Sequence, residues 1–193
     1  MTKSFNLPDT FIVFDLEWTA WEGSQQRGWS EPNEYREVYD IGAVRVEGKD
    51  FDTTDTYRQL VTLRLTPSLP EYSRQLTGIT QADIDRDGIS FAEALRAFNA
   101  FTQGYELYNW GTGDPKAIAE SCQLKNLSNP FEGRIHDIRP VFEQHGVPVE
   151  KYMSSTIVQY FGKENTRAAH QGLDDAMNIV EALRLLKMQN GLS

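Results

Sequence analysis

The alternation of apolar and polar positions predicts that the first third of the chain forms an antiparallel sheet. Phe11–Phe14 is an apolar run that leads into Asp15-Leu16-Glu17, and this pattern is typical of a buried strand. Residues 37–46 and 57–63 are expected to form the second and third strands, and a turn signal at residues 47–50 separates them. The pattern therefore predicts a three-stranded meander.

Strands and helices are predicted to alternate through the rest of the chain, which indicates a mixed α/β domain with five strands. Short strands are expected at residues 106–109 and 134–138. Ser90 and Glu93 have capping-box spacing, which marks a helix start, and Gly191 should end the last helix. The expected helices are residues 91–101, 114–122, 139–145, 154–161 and 173–188, with helical turns at 73–76 and 81–85.

The segment between the first two strands, residues 18–36, has neither a helical nor a strand period and is predicted to be a long loop. Loops of this length are often functional. The loop contains Trp18, Trp21 and Trp29. These rings either stack on the bases of a nucleic acid or pack the loop against the domain, and the sequence leaves both alternatives open.

Length and composition are those of a globular protein with one substantial domain. The chain has 193 residues, of which 39% are hydrophobic and 24% charged. Residues 1–10 are expected to be a short tail and residues 11–190 the domain. Cys122 is the single cysteine, and the chain shows neither a secretion-signal pattern nor a membrane-length apolar run. A reducing cytoplasm is therefore the expected location.

The net charge of −9 bears on the class of partner. It argues against tight, non-specific binding to long nucleic-acid duplexes, because such affinity comes from the neutralisation of phosphates. It does not exclude a nuclease, since bound divalent cations add positive charge locally. The acidity is also consistent with a contribution to solubility alone.

Two carboxylates follow the first apolar run at a spacing that has chemical consequences. Asp15 and Glu17 point to the same face of a strand, because side chains on a strand alternate faces. Two adjacent carboxylates repel each other, and burying them without a partner costs several kcal/mol or shifts their pKa values. Hard oxygen donors of this kind suit a divalent cation, Mg²⁺ or Mn²⁺.

Other polar residues lie where predicted helices begin, and each has an ordinary structural explanation when it is taken alone. Asp114 precedes Pro115 and fits a helix N-cap. Asp174 and Asp175 lie in the first turn of the last helix, where negative charge suits the helix dipole. His170 stands just before that helix. In chain order, however, these residues complete the set Asp-Glu…Asp…His…Asp.

This ordered set resembles the DEDDh branch of the DnaQ-like 3′–5′ exonucleases, which belong to the ribonuclease H-like superfamily. The resemblance covers roughly residues 11–188. Asp40 departs from it, because the family usually carries Glu there. Residues 109–111 look most like the branch that includes histone-mRNA 3′ exonucleases. The matching stretches are residues 14–17, 39–44, 76–80 and 170–176, together with Asp114 after a strand.

The resemblance implies a ribonuclease H-like fold and a site for two cations, Mg²⁺ or Mn²⁺, that hydrolyses phosphodiesters. By resemblance, Asp15 would bridge both ions, and Glu17 and Asp175 would hold the ion on the nucleophile side. Asp114 would act on the leaving-group side, largely through water. His170 would be the general base, and its ordinary pKa near neutrality suits that role. Asp174 would cap its helix.

The resemblance also implies a substrate, the 3′ ends of single-stranded RNA or DNA. No membrane partner is expected, because the chain has no membrane-length apolar run. Trp18 departs from the family, whose members often have a small residue there. Two other functions stay open: a binding module that kept the fold and lost the activity, and a metal-dependent endonuclease or phosphatase. The residues expected to contact the substrate are Leu16, Trp18, Thr19, Leu76, Gly78, Ile79 and Trp110.

Overall fold

A five-stranded mixed sheet forms the centre of the protein, as the computed structural model of residues 7–167 and 169–190 shows. The strand order is β3-β2-β1-β4-β5. β1, β2 and β3 pair antiparallel, and β4 and β5 run parallel to β1. This arrangement confirms the predicted fold class. The strands are β1 Thr10–Trp18, β2 Val38–Glu47, β3 Asp52–Leu60, β4 Leu107–Asn109 and β5 Ile135–Asp137.

Helices cover both faces of the sheet because β1 is apolar on both sides. Phe11 and Val13 belong to the hydrophobic cluster beneath the last helix, and Ile12 and Phe14 belong to the cluster on the opposite face. Two 3₁₀ helices, Val149–Lys151 and Ile157–Phe161, lie on the first of these faces. The α-helices are α1 Ser24–Arg27, α2 Glu71–Thr77, α3 Gln81–Asp87, α4 Phe91–Thr102, α5 Gly113–Leu124, α6 Arg139–Glu143 and α7 Gly172–Asn190.

Two helix starts test the predicted capping residues. Ser90 and Glu93 form the predicted capping box, in which each side chain bonds the backbone N–H of the other residue. The predicted N-cap at Asp114 is wrong, because α5 begins one residue earlier and Thr112 is its N-cap. The Asp114 carboxylate instead binds groups on β1 and β4, which a local sequence pattern does not reveal.

Three predicted segments differ from the structure. The long loop contains α1, a single turn between Gly23 and Gly28, both of which have positive φ. β3 begins five residues before its predicted start and ends at Leu60, since the early part of this edge strand is exposed and carries no apolar alternation. The predicted helix at residues 154–161 is a 3₁₀ helix that begins at Ile157.

The ends of the chain are described in part. Leu7 packs against the core, and the carbonyl of Asp9 accepts a hydrogen bond from the N–H of Gly48 at 2.8 Å. Residues 1–6 of the predicted tail and Gly191, the predicted end of the last helix, lie outside the described residues. Among the helices that the structure describes, none has the length and apolar character needed to cross a membrane.

The start of α7 lies directly on the sheet because two glycines meet there. A Cβ atom added to Gly42 would lie 1.8 Å from the backbone nitrogen of Leu173, and one added to Gly172 would lie 2.7 Å from the carbonyl oxygen of Asp15. No residue with a side chain fits in either place without displacing backbone. The two glycines therefore bring the first turn of α7 against the end of β1 that carries the candidate carboxylates.

Candidate active site

The end of β1 places two carboxylates on one face of the sheet. Asp15 lies opposite Gly42 of β2, and Glu17 lies opposite Asp40. Both side chains are buried, at 7% and 8% exposure respectively. The pairing register shifts between Glu17 and Trp18, so the strand changes course immediately after the second carboxylate. The carboxylates of Asp15 and Glu17 are therefore both buried at the same end of β1.

α7 and the residues before it bring an imidazole and a third carboxylate to the same place. Asp175 is in the first turn of α7, and its N–H donates to the carbonyl of Gln171 at 2.9 Å. His170 has a φ of 59°, a left-handed conformation in which few non-glycine residues are found. One potential ligand atom each from Glu17, His170 and Asp175 lie within 4.8 Å of one another.

Asp114 joins the cluster from α5, with both carboxylate oxygens engaged by the protein. Its Oδ1 accepts a hydrogen bond from the N–H of Leu16 at 2.8 Å, and its Oδ2 accepts one from Nδ2 of Asn109 at 2.7 Å. Leu16 lies between the two β1 carboxylates in the chain. The contact therefore fixes α5 against the strand at the cluster itself, and it leaves Asp114 fewer free lone pairs than its neighbours have.

Burial raises the pKa values of all four carboxylates, and charge repulsion raises those of Asp15, Glu17 and Asp175 further. Burial raises the pKa of Asp15 well above its ordinary value, and the charges of Asp114, Asp175 and Glu17 raise it further. Burial, followed by the charges of Asp175 and Asp40, does the same to the pKa of Glu17. Burial raises the pKa of Asp114 to about 6 and that of Asp175 to about 7. The cluster therefore needs protons or cations to be stable.

The donor set fits a hard divalent cation. The Oδ1 atom of Asp175 is buried and has no hydrogen-bond partner among the described residues. Such an orphaned oxygen costs about 1–3 kcal/mol unless a proton or a cation satisfies it. Carboxylate oxygens are the ligands that Mg²⁺ and Mn²⁺ prefer. The residues present are therefore suitable for such ions.

His170 has the protonation state that a base requires. Partial burial lowers the pKa of its imidazole from the ordinary value, so the neutral form predominates near pH 7. Glu17 and Asp175 lie beside it. A neutral imidazole at the edge of a carboxylate cluster can accept a proton from a water molecule held there.

The structure places two of the predicted substrate-contact residues in structural roles around the first loop. The ring of Trp18 lies on Gly113, where an added Cβ would come within 2.9 Å of it, and faces Trp29 at 6.5 Å between ring centroids. Thr19 is fully buried, and its hydroxyl accepts a hydrogen bond from the N–H of Glu37 at 3.0 Å. These contacts hold the start of the loop against the domain.

Arg36 and Trp29 fasten the other end of this loop. The guanidinium of Arg36 lies 4.1 Å from the ring centroid of Trp29, and Nε1 of Trp29 donates to the carbonyl of Thr19 at 2.9 Å. Of the two alternatives for the loop tryptophans, packing is therefore seen for Trp18 and Trp29. Trp110 also packs internally, with its ring 5.4 Å from that of Phe142.

The other predicted contact residues lie at the end of α2. Leu76 is 39% exposed, whereas Ile79 is buried in a small apolar cluster. Gly78 ends the helix with a φ of 72°. Gly78 and Ile79 line a groove of about 510 Å³, and Gln171, the residue after His170, lines it as well. The groove therefore reaches the segment that carries the imidazole.

Sequence reasoning missed Ser154, which contacts the carboxylate cluster, and Tyr72, an exposed aromatic residue on α2. Ser154 donates a hydrogen bond to Oδ2 of Asp175 at 3.3 Å. No local pattern marks Ser154, because the contact joins segments 21 positions apart in the chain. Tyr72 is 41% exposed and lies four residues before Leu76 on α2. The i, i+4 spacing of two exposed apolar side chains was a readable signal for that second residue.

Comparison of the sequence with known families and curated proteins gives consistent matches. The family model described as Exonuclease (RNase_T) matches residues 12–183. The 3′-5′ exoribonuclease 1 of Rattus norvegicus is 28% identical over 204 residues, which cover 97% of this chain and 57% of the relative. The Homo sapiens protein of the same name is 26% identical over 203 residues, 97% of this chain and 56% of that one. The chain thus spans little more than half the length of these relatives.

Solved structures confirm the ribonuclease H-like fold. The nuclease domain of 3′hExo, a DEDDh family member bound to rAMP, superposes with a TM-score of 0.80 at 24% identity, covering 98% of this chain and 96% of that one. A structure of 3′-end-specific recognition of the histone mRNA stem-loop by a 3′-exonuclease matches with a TM-score of 0.79 at 24% identity. The match covers 96% of this chain and 65% of that one. E. coli exonuclease I in complex with a dA16 oligonucleotide matches with a TM-score of 0.67 at 11% identity, and the match covers 94% of this chain and 41% of that one.

Proposed function

Because the chain belongs to the exonuclease family, we propose that it is a metal-dependent 3′–5′ exonuclease that releases nucleotides from the 3′ ends of single-stranded RNA or DNA. The observation that carries the proposal is the convergence of Asp15, Glu17, Asp114, Asp175 and His170, which come from three separate parts of the chain. RNA is the favoured substrate, since the curated relatives are named exoribonucleases.

The carboxylates are proposed to hold two Mg²⁺ or Mn²⁺ ions. Asp15, Glu17 and Asp175 are the proposed direct ligands, and the orphaned Oδ1 of Asp175 supports this role. Asp114 is proposed to act largely through water, because both its oxygens already accept hydrogen bonds. When bound, the two cations would lower the pKa of the attacking water and offset the charge that builds on the phosphate.

His170 is proposed to be the general base. Its neutral imidazole takes one proton from the water whose oxygen attacks the phosphorus of the terminal phosphodiester. The bond from phosphorus to the 3′ oxygen of the preceding nucleotide breaks, and this oxygen takes a proton from solvent water. The products are a nucleoside 5′-monophosphate and a strand that is one nucleotide shorter with a new 3′ hydroxyl. A base with a lowered pKa suits this step near pH 7.

The terminal nucleotide is proposed to bind between the β1 carboxylates and the end of α2. Leu76 and Tyr72 on α2 are exposed, and Gly78 and Ile79 line the groove that Gln171 also lines. These residues are proposed to form the surface on which the terminal base stacks. Base stacking on such a surface contributes about 1–3 kcal/mol per base and tolerates different sequences. It compensates for the acidic net charge of the chain. Leu16, Trp18 and Trp110 complete the set of proposed substrate contacts, whereas Thr19, which is fully buried, is proposed to support the start of the first loop.

The domain boundaries and the location follow as further proposals. Residues 11–190 are proposed to form the catalytic domain, and the cytoplasm is the proposed compartment. Cys122 is buried and free, which is in keeping with a reducing environment. The alternative of an inactive binding module finds no support in the described residues, because it predicts a broken acidic set and all five positions are intact.

A product ladder tests the proposal. Matched 5′-labelled RNA and DNA oligonucleotides, each with a free or a blocked 3′ end, are incubated with Mg²⁺ or Mn²⁺. We expect stepwise shortening by one nucleotide from free ends, no cutting of blocked strands, and no products with EDTA or from Asp15→Ala. Asp174→Asn, which changes a neighbouring carboxylate, should remain active. Internal cutting of blocked strands would indicate an endonuclease, and EDTA-resistant digestion by Asp15→Ala would refute the metal mechanism.

A further inference from the structure

We propose that Ser154 is a positioning residue whose hydroxyl holds the carboxylate of Asp175 in the orientation that binds cations. The inference rests on the proposed metal-dependent function and adds to it a residue outside the acidic and imidazole set. Ser154 belongs to the turn that precedes the second 3₁₀ helix, 21 positions before Asp175 in the chain.

The hydroxyl of Ser154 contacts one member of the cluster directly. Its Oγ donates to Oδ2 of Asp175 at 3.3 Å. Engaging Oδ2 limits rotation of the Asp175 carboxylate and leaves its other oxygen, Oδ1, without a partner among the described residues. A serine hydroxyl has one proton to donate and an ionised carboxylate can only accept, so the bond to Asp175 uses the single donor of Ser154.

The turn that carries Ser154 is closed by hydrogen bonds on both sides of it. The N–H of Met153 donates to Oγ1 of Thr156 at 2.9 Å. In return, the N–H groups of Thr156 and Ile157 donate to the carbonyl of Met153, each at 3.0 Å. Ser154 is therefore held inside a short ring of bonds, which limits where its hydroxyl can be.

Neighbouring segments fix the same turn from outside. Nδ2 of Asn165 donates to the carbonyl of Ser155 at 2.7 Å, and Nε1 of Trp110 donates to the carbonyl of Tyr152 at 3.1 Å. Ile157 is buried in the core directly after the turn. Because the backbone is anchored before and after Ser154, the position of its hydroxyl is fixed. The hydroxyl can therefore restrict the orientation of the carboxylate that it binds.

The consequence concerns cation affinity. A carboxylate that is already oriented loses less rotational freedom when it binds an ion, whereas a freely rotating one loses more. Removing the hydrogen-bond partner of a metal ligand typically lowers metal affinity about 10–100-fold. We expect Ser154→Ala to bind Mn²⁺ about 10-fold or more weakly, while Ser154→Thr, which keeps the hydroxyl, stays within about threefold of wild type.

Calorimetric titration with Mn²⁺ alone tests this inference without any turnover. Wild type, Ser154→Ala, Ser154→Thr and Met153→Ala are titrated in the same buffer. Met153→Ala is the matched control, because it truncates a 58% exposed side chain in the same turn. We expect weakened binding only for Ser154→Ala, with metal-free melting temperatures close to that of wild type for all variants. Equal affinities for Ser154→Ala and wild type would overturn the inference.

The outcomes separate this inference from the proposed function. If wild type binds Mn²⁺ and degrades RNA while Ser154→Ala binds the ion equally well, only the positioning role is refuted. If wild type does not bind Mn²⁺, both proposals fail. Should Ser154→Ala not fold, Ser154→Cys replaces it, because a thiol is a weak donor of similar size. Weakened binding by Ser154→Cys relative to Ser154→Thr supports the role, and equal binding overturns it.

Discussion

Replacing Asp175 by asparagine should stabilise the metal-free protein while it abolishes activity. Burial raises the pKa of this carboxyl from its ordinary 3.8 to about 7. A raised pKa means that the folded state holds the proton more tightly than the unfolded state does. The group therefore favours folding at low pH, and this contribution is lost as the pH rises through about 7. At pH 8 the ionised group destabilises the fold, and Asp175→Asn removes that charge.

The structure gives the size of the effect. A pKa difference of about 3 corresponds to about 4 kcal/mol, at about 1.4 kcal/mol per unit of pKa. Coupling to the neighbouring carboxylates, which titrate again when one charge is removed, reduces this to about 1–3 kcal/mol. For a chain of this size, that stabilisation raises the melting temperature at pH 8 by roughly 3–10 °C. At pH 5 the gain should fall to about a third, because most of the folded carboxyl is already protonated there.

Thermal unfolding in EDTA at pH 8 and pH 5 measures the effect, with Asp174→Asn as the matched control. Asp174 lies one residue earlier in the first turn of α7, where its charge suits the helix dipole. The Asp174 charge also raises the pKa of Asp175, so its replacement relieves some repulsion while it loses about 0.3–1 kcal/mol of helix-dipole stabilisation. Because the two effects oppose each other, Asp174→Asn should change stability much less than Asp175→Asn does. A lower melting temperature for Asp175→Asn than for wild type at pH 8 would refute the reasoning that the ionised, buried carboxylates destabilise the metal-free fold.

Three further changes test other parts of the account. Gly42→Ala should lower stability by about 3 kcal/mol or more in urea unfolding, because the new Cβ meets the backbone of Leu173 at 1.8 Å; unchanged stability would contradict this packing. Lys125→Ala should lower the free energy of unfolding in urea by about 3–5 kcal/mol, because the buried carboxylate of Glu37, 2.9 Å away, loses its cation. A decrease of less than about 1 kcal/mol would show that this pair is solvated. His170→Ala should slow nucleotide release about 10²–10⁴-fold at pH 7 and keep stabilisation by Mn²⁺, and a wild-type rate would exclude it as the base.

The sequence was informative where local pattern and three-dimensional role coincide. An apolar strand ending in Asp15 and Glu17 places both carboxylates on one face, because the side-chain period of a strand is two. The ordered motif then led to the family and the fold class, both of which are confirmed. The capping box at Ser90 was readable for the same reason, since it is a contact between residues three apart.

Sequence patterns do not reveal the role of a residue when that role depends on contacts with segments distant in the chain. Asp114 looked like a helix cap, yet its carboxylate binds the backbone of Leu16, 98 positions away in the chain. Ser154 has no local signature at all. The hydrophobic pattern does not predict the first half of β3, because an exposed edge strand needs no apolar alternation. Each of these features follows from how elements pack, which the hydrophobic pattern of one segment does not encode.

The central claim is that Asp15, Glu17, Asp114, Asp175 and His170 surround a pair of hard cations. The most direct measurement is anomalous scattering from crystals of the wild-type protein soaked in Mn²⁺. We predict two anomalous peaks beside Asp15, with ligand oxygens from Glu17 and Asp175, and no such peaks in Asp15→Ala crystals treated identically. Peaks only elsewhere on the protein, or none at saturating Mn²⁺, would contradict the claim.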